Sequence, residues 1–276
     1  MVIRTIALCL VTLAVGFGLG MFVFSRMPAP SASNTLAGKR VVAEDELDVA
    51  LGTYTYDGTI ERVTVREAIE ESATLDAARN ADWTYELPSA DAVLSIARND
   101  ILMQEAQARG IAATDEDALA YAKDTLGTDD YATIASSYHL SAEKAKEQML
   151  RSATIRKLRD SVVTTKSVKK PQAPDSPEEG KEDEPSEEYA SYVIGLLGDE
   201  WDANANTWAR ENGVLREALK DYTISNDAAT YSAAIAAYYA AYTQFATTEQ
   251  QVSSEWTSFV NELLSQATVQ LSSLVA

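Results

Sequence analysis

The sequence contains very little cysteine and histidine, the residues on which most metal sites and many catalytic centres depend. Its 276 residues include one cysteine, Cys9, and one histidine, His139. A disulfide needs two cysteines, a zinc site needs several Cys or His ligands, and a Ser-His-Asp or Cys-His centre needs all its members in the folded part. The composition therefore excludes these sites. The prediction for the chain is a protein that is not an enzyme and that uses no cofactor or metal, and calcium binding by the carboxylates at 115–117 and 129–130 stays open as the alternative.

Positive charge is also scarce. The chain has 23 Lys and Arg against 42 Asp and Glu, which gives a formal net charge of −19. A protein that binds nucleic acid needs a basic face for the phosphate groups. The charge balance therefore argues against nucleic acid as a partner.

The N-terminal segment carries the longest apolar run of the sequence. Residues 5–24 are uncharged and apolar, with Arg4 before them and Arg26 after them. This length suits a membrane span better than the shorter apolar region of a signal peptide. The pattern favours an uncleaved signal anchor, and the small residues 31–33 leave cleavage open as the alternative. The flanking basic residues are too evenly split to fix the orientation of such a span.

Composition divides the chain into five regions. A Pro-, Ser- and Ala-rich stretch follows the apolar run and reads as a flexible tether, and a second Pro-rich stretch with a dense acidic block reads as a disordered or extended linker. The predicted regions are the signal anchor 1–27, the tether 28–46, a folded domain 47–165, the linker 166–188 and a C-terminal helical region 189–276.

The folded domain opens with a strand signal. Asp57-Gly58 lies between residues that favour β-structure, and such a pair is the strongest short signal for a β-hairpin, because both turn residues need positive φ. Thr64 and Glu67 then have the spacing of a capping box, which predicts a helix start.

Helical hairpins joined by capped turns follow the strand unit. Ser89, Thr114 and Ser141 are placed as helix N-caps, and Gly110 and Gly127 as helix ends. His139 follows Tyr138 at a further helix end, where an exposed or capping role is expected. The fold class predicted for the chain is therefore mainly α, membrane-anchored, with a small β-hairpin or sheet.

The motifs of these hairpins resemble a known family. The segments that carry the resemblance are Ile101–Ala106, Gly110-Ile111, Thr114–Asp117 and Ile155–Leu158. They are similar to the N-terminal chaperone domain of SurA-type and PrsA-type extracytoplasmic folding factors, over roughly residues 49–163. The resemblance implies a chaperone that holds unfolded or partly folded secreted polypeptides without ATP. Together with the acidic bulk of the protein, it also implies that the soluble part of this single-pass protein lies outside the cell membrane. It also implies that the last helix packs back on the hairpins and that a terminal strand pairs near Thr53–Tyr56.

The C-terminal region is predicted to be helical because it has no glycine after Gly213 and no proline after Pro185. Trp201 and Trp208 are spaced i, i+7, as on one helix face. Asn226 or Asp227 is expected to cap an Ala- and Tyr-rich helix that is apolar nearly all round, so this helix should be largely buried or should cover a partner. Thr247 or Thr248 is expected to cap a separate final helix, and residues 267–276 contain the predicted terminal strand.

Flexible and amphipathic side chains are the candidates for binding unfolded clients, because such groups adapt to varied apolar segments. The same residues also suit ordinary core packing, and the sequence leaves both roles open. The candidate residues are Met103, Tyr131, Tyr138, Met149, Tyr238, Tyr242 and Trp256.

Two other functions stay open. Many members of the resembling family carry a prolyl isomerase domain, but that domain needs histidines and glycine-rich turns that this sequence lacks beyond His139 and Gly213. The third alternative is an envelope adaptor that binds one folded partner through its C-terminal helices. The sequence does not decide whether the chain forms a homo-oligomer.

Overall fold

The computed structural model describes residues 36–271, and these form two compact units. Within the described residues, the first unit consists of residues 36–163 together with 256–271, and the second consists of residues 164–255. The described residues are 54% helical with a few small sheets, which agrees with the mainly α part of the predicted fold class.

The first unit begins in a region that was predicted to be a flexible tether. Residues 36–46 instead pack into the unit: strand β1, Val41–Val42, pairs antiparallel with β4, Tyr85–Glu86. Leu36 and Val42 are buried beside Leu47 in the main core. The tether prediction is therefore wrong for these residues, because apolar side chains at wide spacing were enough to bring the segment into the core.

A three-stranded antiparallel sheet forms one wall of the first unit. Strand β2, Ala50–Tyr56, lies between β3, Thr59–Thr64, and β7, Thr268–Leu271. The predicted hairpin turn is confirmed, with φ of 47° at Asp57 and 74° at Gly58. The predicted return of the C-terminal strand is also confirmed, since residues 52–55 of β2 pair with residues 268–271 of β7.

The helices of the first unit follow the predicted caps. Thr64 and Thr114 each close a capping box, and the Ser141 hydroxyl accepts a hydrogen bond from the Lys144 amide. Gly110 and Gly127 take positive φ after their helices, as expected. The helices are α1 Val65–Glu70, α2 Leu75–Ala78, α3 Ala90–Ala108, α4 Asp115–Leu126, α5 Tyr131–Tyr138 and α6 Ala142–Val162.

The second unit contains α7, Glu187–Leu197, a two-stranded hairpin, and α8, Val214–Ala218. The hairpin strands are β5, Trp201–Asp202, and β6, Thr207–Trp208. The prediction that Trp201 and Trp208 share one helix face is wrong: the two rings meet across the hairpin, with centroids 5.6 Å apart and planes at 80°. A spacing of seven residues also suits a hairpin whose turn lies midway, here with Asn206 at φ 51°.

The longest helix is α9, Tyr231–Leu264. Two helices with a break near Thr247 were predicted, and this is wrong because the Thr247 hydroxyl donates to the Thr243 carbonyl at 2.9 Å inside a continuous helix. The expected cap at Asn226 or Asp227 is also wrong. Thr230 caps the helix by accepting from the Ala233 amide, whereas the Asn226 side chain accepts from the Trp201 indole at 2.9 Å.

Each of the two units has its own hydrophobic core. In the first unit, one core joins the sheet, α3 and α6 to the last residues of α9, and a smaller one joins α4, α5 and α6. The core of the second unit combines buried alanines of α9 with Tyr189, Trp201 and Leu215. The predicted docking of the C-terminal helix end beside the hairpin helices is confirmed by Trp256, Val260 and Leu263 in the first core.

No helix within residues 36–271 is both long enough and apolar enough to span a lipid bilayer. This finding contradicts the predicted membrane-anchored fold, the transmembrane and signal-anchor assignment and the single-pass localisation, so these predictions are corrected. The apolar run at residues 5–24, on which all of them rested, lies outside the described residues.

Candidate functional site

An open cleft of about 660 Å³ lies in the first unit, where the β2–β3 hairpin, the C-terminal half of α3 and α6 meet. The close approach of β2 to α3 depends on Gly52, because a Cβ at this position would come within 2.9 Å of both the Val93 side chain and the Gln270 carbonyl oxygen. The cleft is lined by Tyr54, Glu61, Asp100, Met103, Gln104, Gln107, Gly110, Ile111, Ala112 and Thr154.

A hydrogen-bonded pair crosses the cleft from the sheet to the helix. The Tyr54 hydroxyl on β2 donates to Asp100 Oδ2 on α3 at 2.9 Å. Burial raises the pKa of Asp100 above its ordinary value, although the Tyr54 hydrogen bond opposes this shift. Burial, reinforced by the Asp100 hydrogen bond, also raises the pKa of Tyr54, so the phenol stays a donor.

A second polar cluster fixes α6 beside this pair. Glu71, at the end of α1, forms ion pairs with Arg151 and, at 3.1 Å, with Lys144. The Gln148 side-chain amide donates to the Glu71 carbonyl at 2.6 Å. The nearby Arg151 charge favours the ionised form of Asp100, so the carboxylate is held in a partly buried but electrostatically supported position.

The far wall of the cleft is held by Thr154 on α6. This buried hydroxyl accepts from the Ala113 amide at 3.0 Å and donates to the Leu150 carbonyl at 2.8 Å. The loop after α3 is also closed by the Ile111 amide, which donates to the Ala106 carbonyl at 2.8 Å. These bonds fix Ile111 and Ala112 as a stable apolar wall.

The lining combines apolar walls with acidic and amide groups. Met103 and Ile111 offer apolar surface, Gln104 and Gln107 offer amides that both donate and accept, and Glu61 and Asp100 offer carboxylates. No Lys or Arg is among the residues that line this cleft, and the negative end of the α3 dipole lies at Gly110. The arrangement suits an extended segment that carries apolar and cationic side chains.

The predicted client-binding residues are not brought together. Met103 lines the cleft, but Met149 and Trp256, with 4% and 6% of their surface exposed, are core residues. Their prediction as client contacts is wrong, because helical spacing cannot tell a buried face from a binding face. Tyr131 and Tyr138 are half-buried beside the smaller core of α4–α6.

The remaining two candidates, Tyr238 and Tyr242, lie on α9 in the second unit. The rings form an aromatic row in the order Tyr239, Tyr238, Tyr242 and Phe245, with neighbouring ring centroids 5.4 to 6.0 Å apart. Tyr239 is 63% exposed and Tyr242 39% exposed. The prediction that this helix is largely buried is therefore wrong for this part of it, and the alternative that it covers a partner stays a prediction.

Sequence reasoning missed Tyr54, Glu61 and Asp100. A signal was present for the first two, since the Asp57-Gly58 turn places Tyr54 directly opposite Glu61 in the hairpin. Asp100 had a weaker signal, as an acidic residue beside the buried Ile101 and one turn from the buried Ala97. Its role depends on the sheet that lies over α3, and the helix pattern does not reveal that sheet.

Among residues 36–271, no group of three or more His, Cys, Asp or Glu side chains is placed to hold a metal ion. Comparisons with protein-family models, with curated proteins and with solved structures found no match to this chain. The resemblance to SurA-type and PrsA-type chaperone domains therefore stays a prediction that rests on the quoted motifs.

Proposed function

We propose that the protein is an ATP-independent chaperone, which holds extended segments of unfolded polypeptides in the cleft of its first unit. The observation that carries this proposal is the open cleft of about 660 Å³ that joins apolar walls to amides and carboxylates. Sites that bind chain segments without a fixed sequence need apolar contact for affinity and adaptable polar groups for the peptide backbone.

The flexible part of the lining supports this use. Met103 has an unbranched side chain that adapts to varied apolar partners. Gln104 and Gln107 lie one turn apart on α3 and present both donors and acceptors to a bound backbone. The α3 side of the cleft therefore offers both an adaptable apolar side chain and groups that can satisfy backbone hydrogen bonds.

Electrostatics supports a preference for basic segments. Glu61 and Asp100 are the charged residues of the cleft, and the whole chain carries a net charge of −19. Opposite charge speeds the encounter of the two molecules and disfavours acidic competitors. Segments with Lys or Arg beside apolar residues are therefore the proposed clients.

The sequence offers no Walker-type glycine-rich phosphate loop. This supports a holding activity that depends on binding alone and needs no nucleotide.

Light scattering of two unrelated denatured proteins, one basic and one acidic, tests the proposal when both are diluted into buffer with the full chain and without nucleotide. We expect suppressed aggregation of both, with stronger suppression of the basic one. Gln104→Arg places a cation in the cleft and should weaken suppression several-fold. Gln250→Arg makes the same change on an exposed face of α9 and should leave it unchanged.

The proposal fails if wild-type protein at several-fold molar excess suppresses neither client. It also fails if Gln104→Arg and Gln250→Arg act equally, since the activity would then not depend on the cleft.

A further inference from the structure

The Pro-rich segment before α7 has a strict spacing. Residues 169–178, here called the strap, read KKPQAPDSPE, with prolines at positions 171, 174 and 177. A polyproline II helix has three residues per turn, so these three prolines share one face of it. Proline also fixes φ near the polyproline II value, and it lacks an amide hydrogen for helix or sheet bonding.

The burial of the strap follows the same period of three. Pro171, Pro174 and Pro177 are its half-buried residues, and every residue between them is exposed. The strap has no regular helix or strand structure. The face that carries the prolines is therefore the less exposed face of the strap, as the spacing predicts.

Two tyrosines of α7 bind the backbone of the strap. The Tyr192 hydroxyl donates to the Gln172 carbonyl at 2.6 Å, and the Tyr189 hydroxyl donates to the Asp175 carbonyl at 3.1 Å. The two tyrosines are one helical turn apart, and the two carbonyls are one polyproline turn apart. Each spacing is three residues, and the strap runs antiparallel to α7. Burial raises the pKa of Tyr192, which keeps its hydroxyl protonated as a donor.

A third ring contacts the residue before the first proline. The Lys170 ammonium lies 5.8 Å from the centroid of the Tyr242 ring on α9. This distance is within the range of a cation–π contact. Tyr189, Tyr192 and Tyr242 together form what we call the tyrosine face.

The strap lies on the surface of the second unit, as a bound ligand would. None of its residues is buried, and the core of the second unit is composed of residues from position 189 onward. The strap therefore contributes no buried residue to the core of the second unit.

We propose that the tyrosine face is a binding site for polyproline II segments of the pattern Lys-Pro-x-x-Pro-x-x-Pro. The strap occupies this site in cis, and a Pro-rich segment of a partner protein binds by taking its place. This inference is independent of the chaperone proposal, which concerns the first unit.

The physical basis is the low entropy of polyproline II segments. Such a segment is already extended before it binds, so aromatic grooves recognise it at small ordering cost. Tyrosine hydroxyls donate hydrogen bonds to the exposed backbone carbonyls, because a polyproline II segment has no internal hydrogen-bond partners for them. Because the strap is tethered, its effective concentration at the site is high. A free peptide must compete with the strap, so the apparent affinity of the peptide is reduced.

The test uses the full chain with Pro171→Ala, Pro174→Ala and Pro177→Ala, which weakens the resident strap. A fluorescent peptide with the sequence of residues 169–179 is the probe, and its anisotropy is measured. We expect the triple variant to bind the peptide at least tenfold more tightly than the wild type. Adding Tyr192→Phe should reduce the binding, and a peptide with the same composition but shifted prolines should not bind.

The proposal is overturned if a triple variant with an unchanged circular dichroism spectrum fails to bind the peptide. Equal binding by wild type and triple variant would overturn occupation in cis, and binding of the shifted peptide would overturn the spacing rule.

A second measurement does not depend on the folding of that variant. In the wild-type protein, the Tyr242 ring should shift the side-chain proton resonances of Lys170 upfield. An excess of unlabelled peptide should move these resonances to random-coil positions, whereas the shifted peptide should not. Resonances that stay in place at saturating peptide would contradict exchange of the strap.

Discussion

The two candidate binding surfaces differ in what they offer to a ligand. The cleft of the first unit presents side chains, with Met103 and Ile111 as apolar walls and Asp100 as a partly buried charge. The tyrosine face of the second unit presents hydroxyl groups that are already bonded to backbone carbonyls of the strap. A surface that contacts the side chains of its ligand suits polypeptide segments of varied sequence. A surface that hydrogen-bonds to the backbone of its ligand suits segments of one backbone conformation.

The comparison also shows that burial decides what an aromatic residue does. Trp256 and Tyr242 lie on the same helix, α9, and both are aromatic candidates in the sequence. Trp256 is 6% exposed and packs in the core of the first unit, whereas Tyr242 is 39% exposed and contacts Lys170. A pair of variants on this helix can test the difference.

The largest effect is expected from Trp256→Ala. Loss of a buried indole leaves a cavity and should lower the free energy of unfolding of the first unit by about 3–5 kcal/mol. Tyr242→Ala is the matched control on the exposed part of the helix and should cost about 1 kcal/mol or less. Urea unfolding followed by circular dichroism measures both. Equal losses would contradict the assignment of Trp256 to the core.

A pair of glycine variants separates the two units. Gly52→Ala forces a Cβ against the Val93 side chain and the Gln270 carbonyl, so we expect a loss of about 1–3 kcal/mol from overpacking. Gly195→Ala adds a Cβ in open space on α7 and should stabilise the second unit by about 0.5–1 kcal/mol.

Hydrogen exchange measures the two units separately in these glycine variants. The β2 amides should lose protection in Gly52→Ala, and the α7 amides should gain protection in Gly195→Ala. Unchanged protection of β2 would show that the sheet accommodates the methyl group, and the close packing of β2 on α3 would then not depend on glycine.

A smaller difference is expected between two tyrosine hydroxyls. Tyr54→Phe removes the donor to a partly buried carboxylate and should cost about 1–2 kcal/mol, because hydrogen bonds to charged groups are the stronger class. Tyr192→Phe removes a bond to an exposed backbone carbonyl and should cost about 0.5 kcal/mol. Thermal unfolding of both variants checks the order, and a larger loss for Tyr192→Phe would reverse the comparison.

Acid titration should change stability in opposite directions at different carboxylates. Hydrogen bonds, chiefly from Lys157, lower the pKa of Asp117 to about 2 from an ordinary value of 3.8. Thr165 and Thr164 lower that of Glu255 to about 2 from 4.5. These groups stabilise the fold fully above their ordinary values, and their contributions disappear as the pH falls through about 2.

Asp100 has the opposite sign, because its folded pKa is raised. Its ionisation opposes folding, so protonation at falling pH relieves that cost while it removes the Asp100 charge from the cleft. Urea unfolding should be measured between about pH 2 and about pH 6, the range in which Asp and Glu titrate. The free energy of unfolding should fall less steeply with falling pH in Asp117→Asn and in Glu255→Gln than in the wild type. Asp100→Asn should not make this fall less steep, and parallel curves for all three would contradict the assignment.

Local signals in the sequence were enough for several elements. The Asp57-Gly58 turn and the boxes at Thr64 and Thr114 depend on residues within a few positions of one another, and all three are present in the structure. The break predicted near Thr247 failed because a threonine hydroxyl can cap a helix or bond to the previous turn, and only the neighbouring packing decides between the two. The Trp201 and Trp208 spacing failed for a similar reason, since it fits both a helix and a hairpin.

The candidate site was largely beyond sequence reasoning. Met103 was predicted, but the Tyr54–Asp100 bond joins residues 46 positions apart, and no local pattern connects them. The spacing of Pro171, Pro174 and Pro177 in the strap is visible in the sequence. Its contact with Tyr189 and Tyr192 depended on the fold of the second unit.

The turns, the caps, the acidic character and the period of the prolines follow from the amino-acid sequence, because each depends on side chains that act on their own backbone or on the solvent. Which apolar faces became core and which stayed exposed depended on long-range packing, since the helical period marks an apolar face but does not identify the segment that packs against it. Long-range packing also decided that Asp100 would meet Tyr54 and that the strap would lie on α7, because those contacts exist only when distant segments pack together.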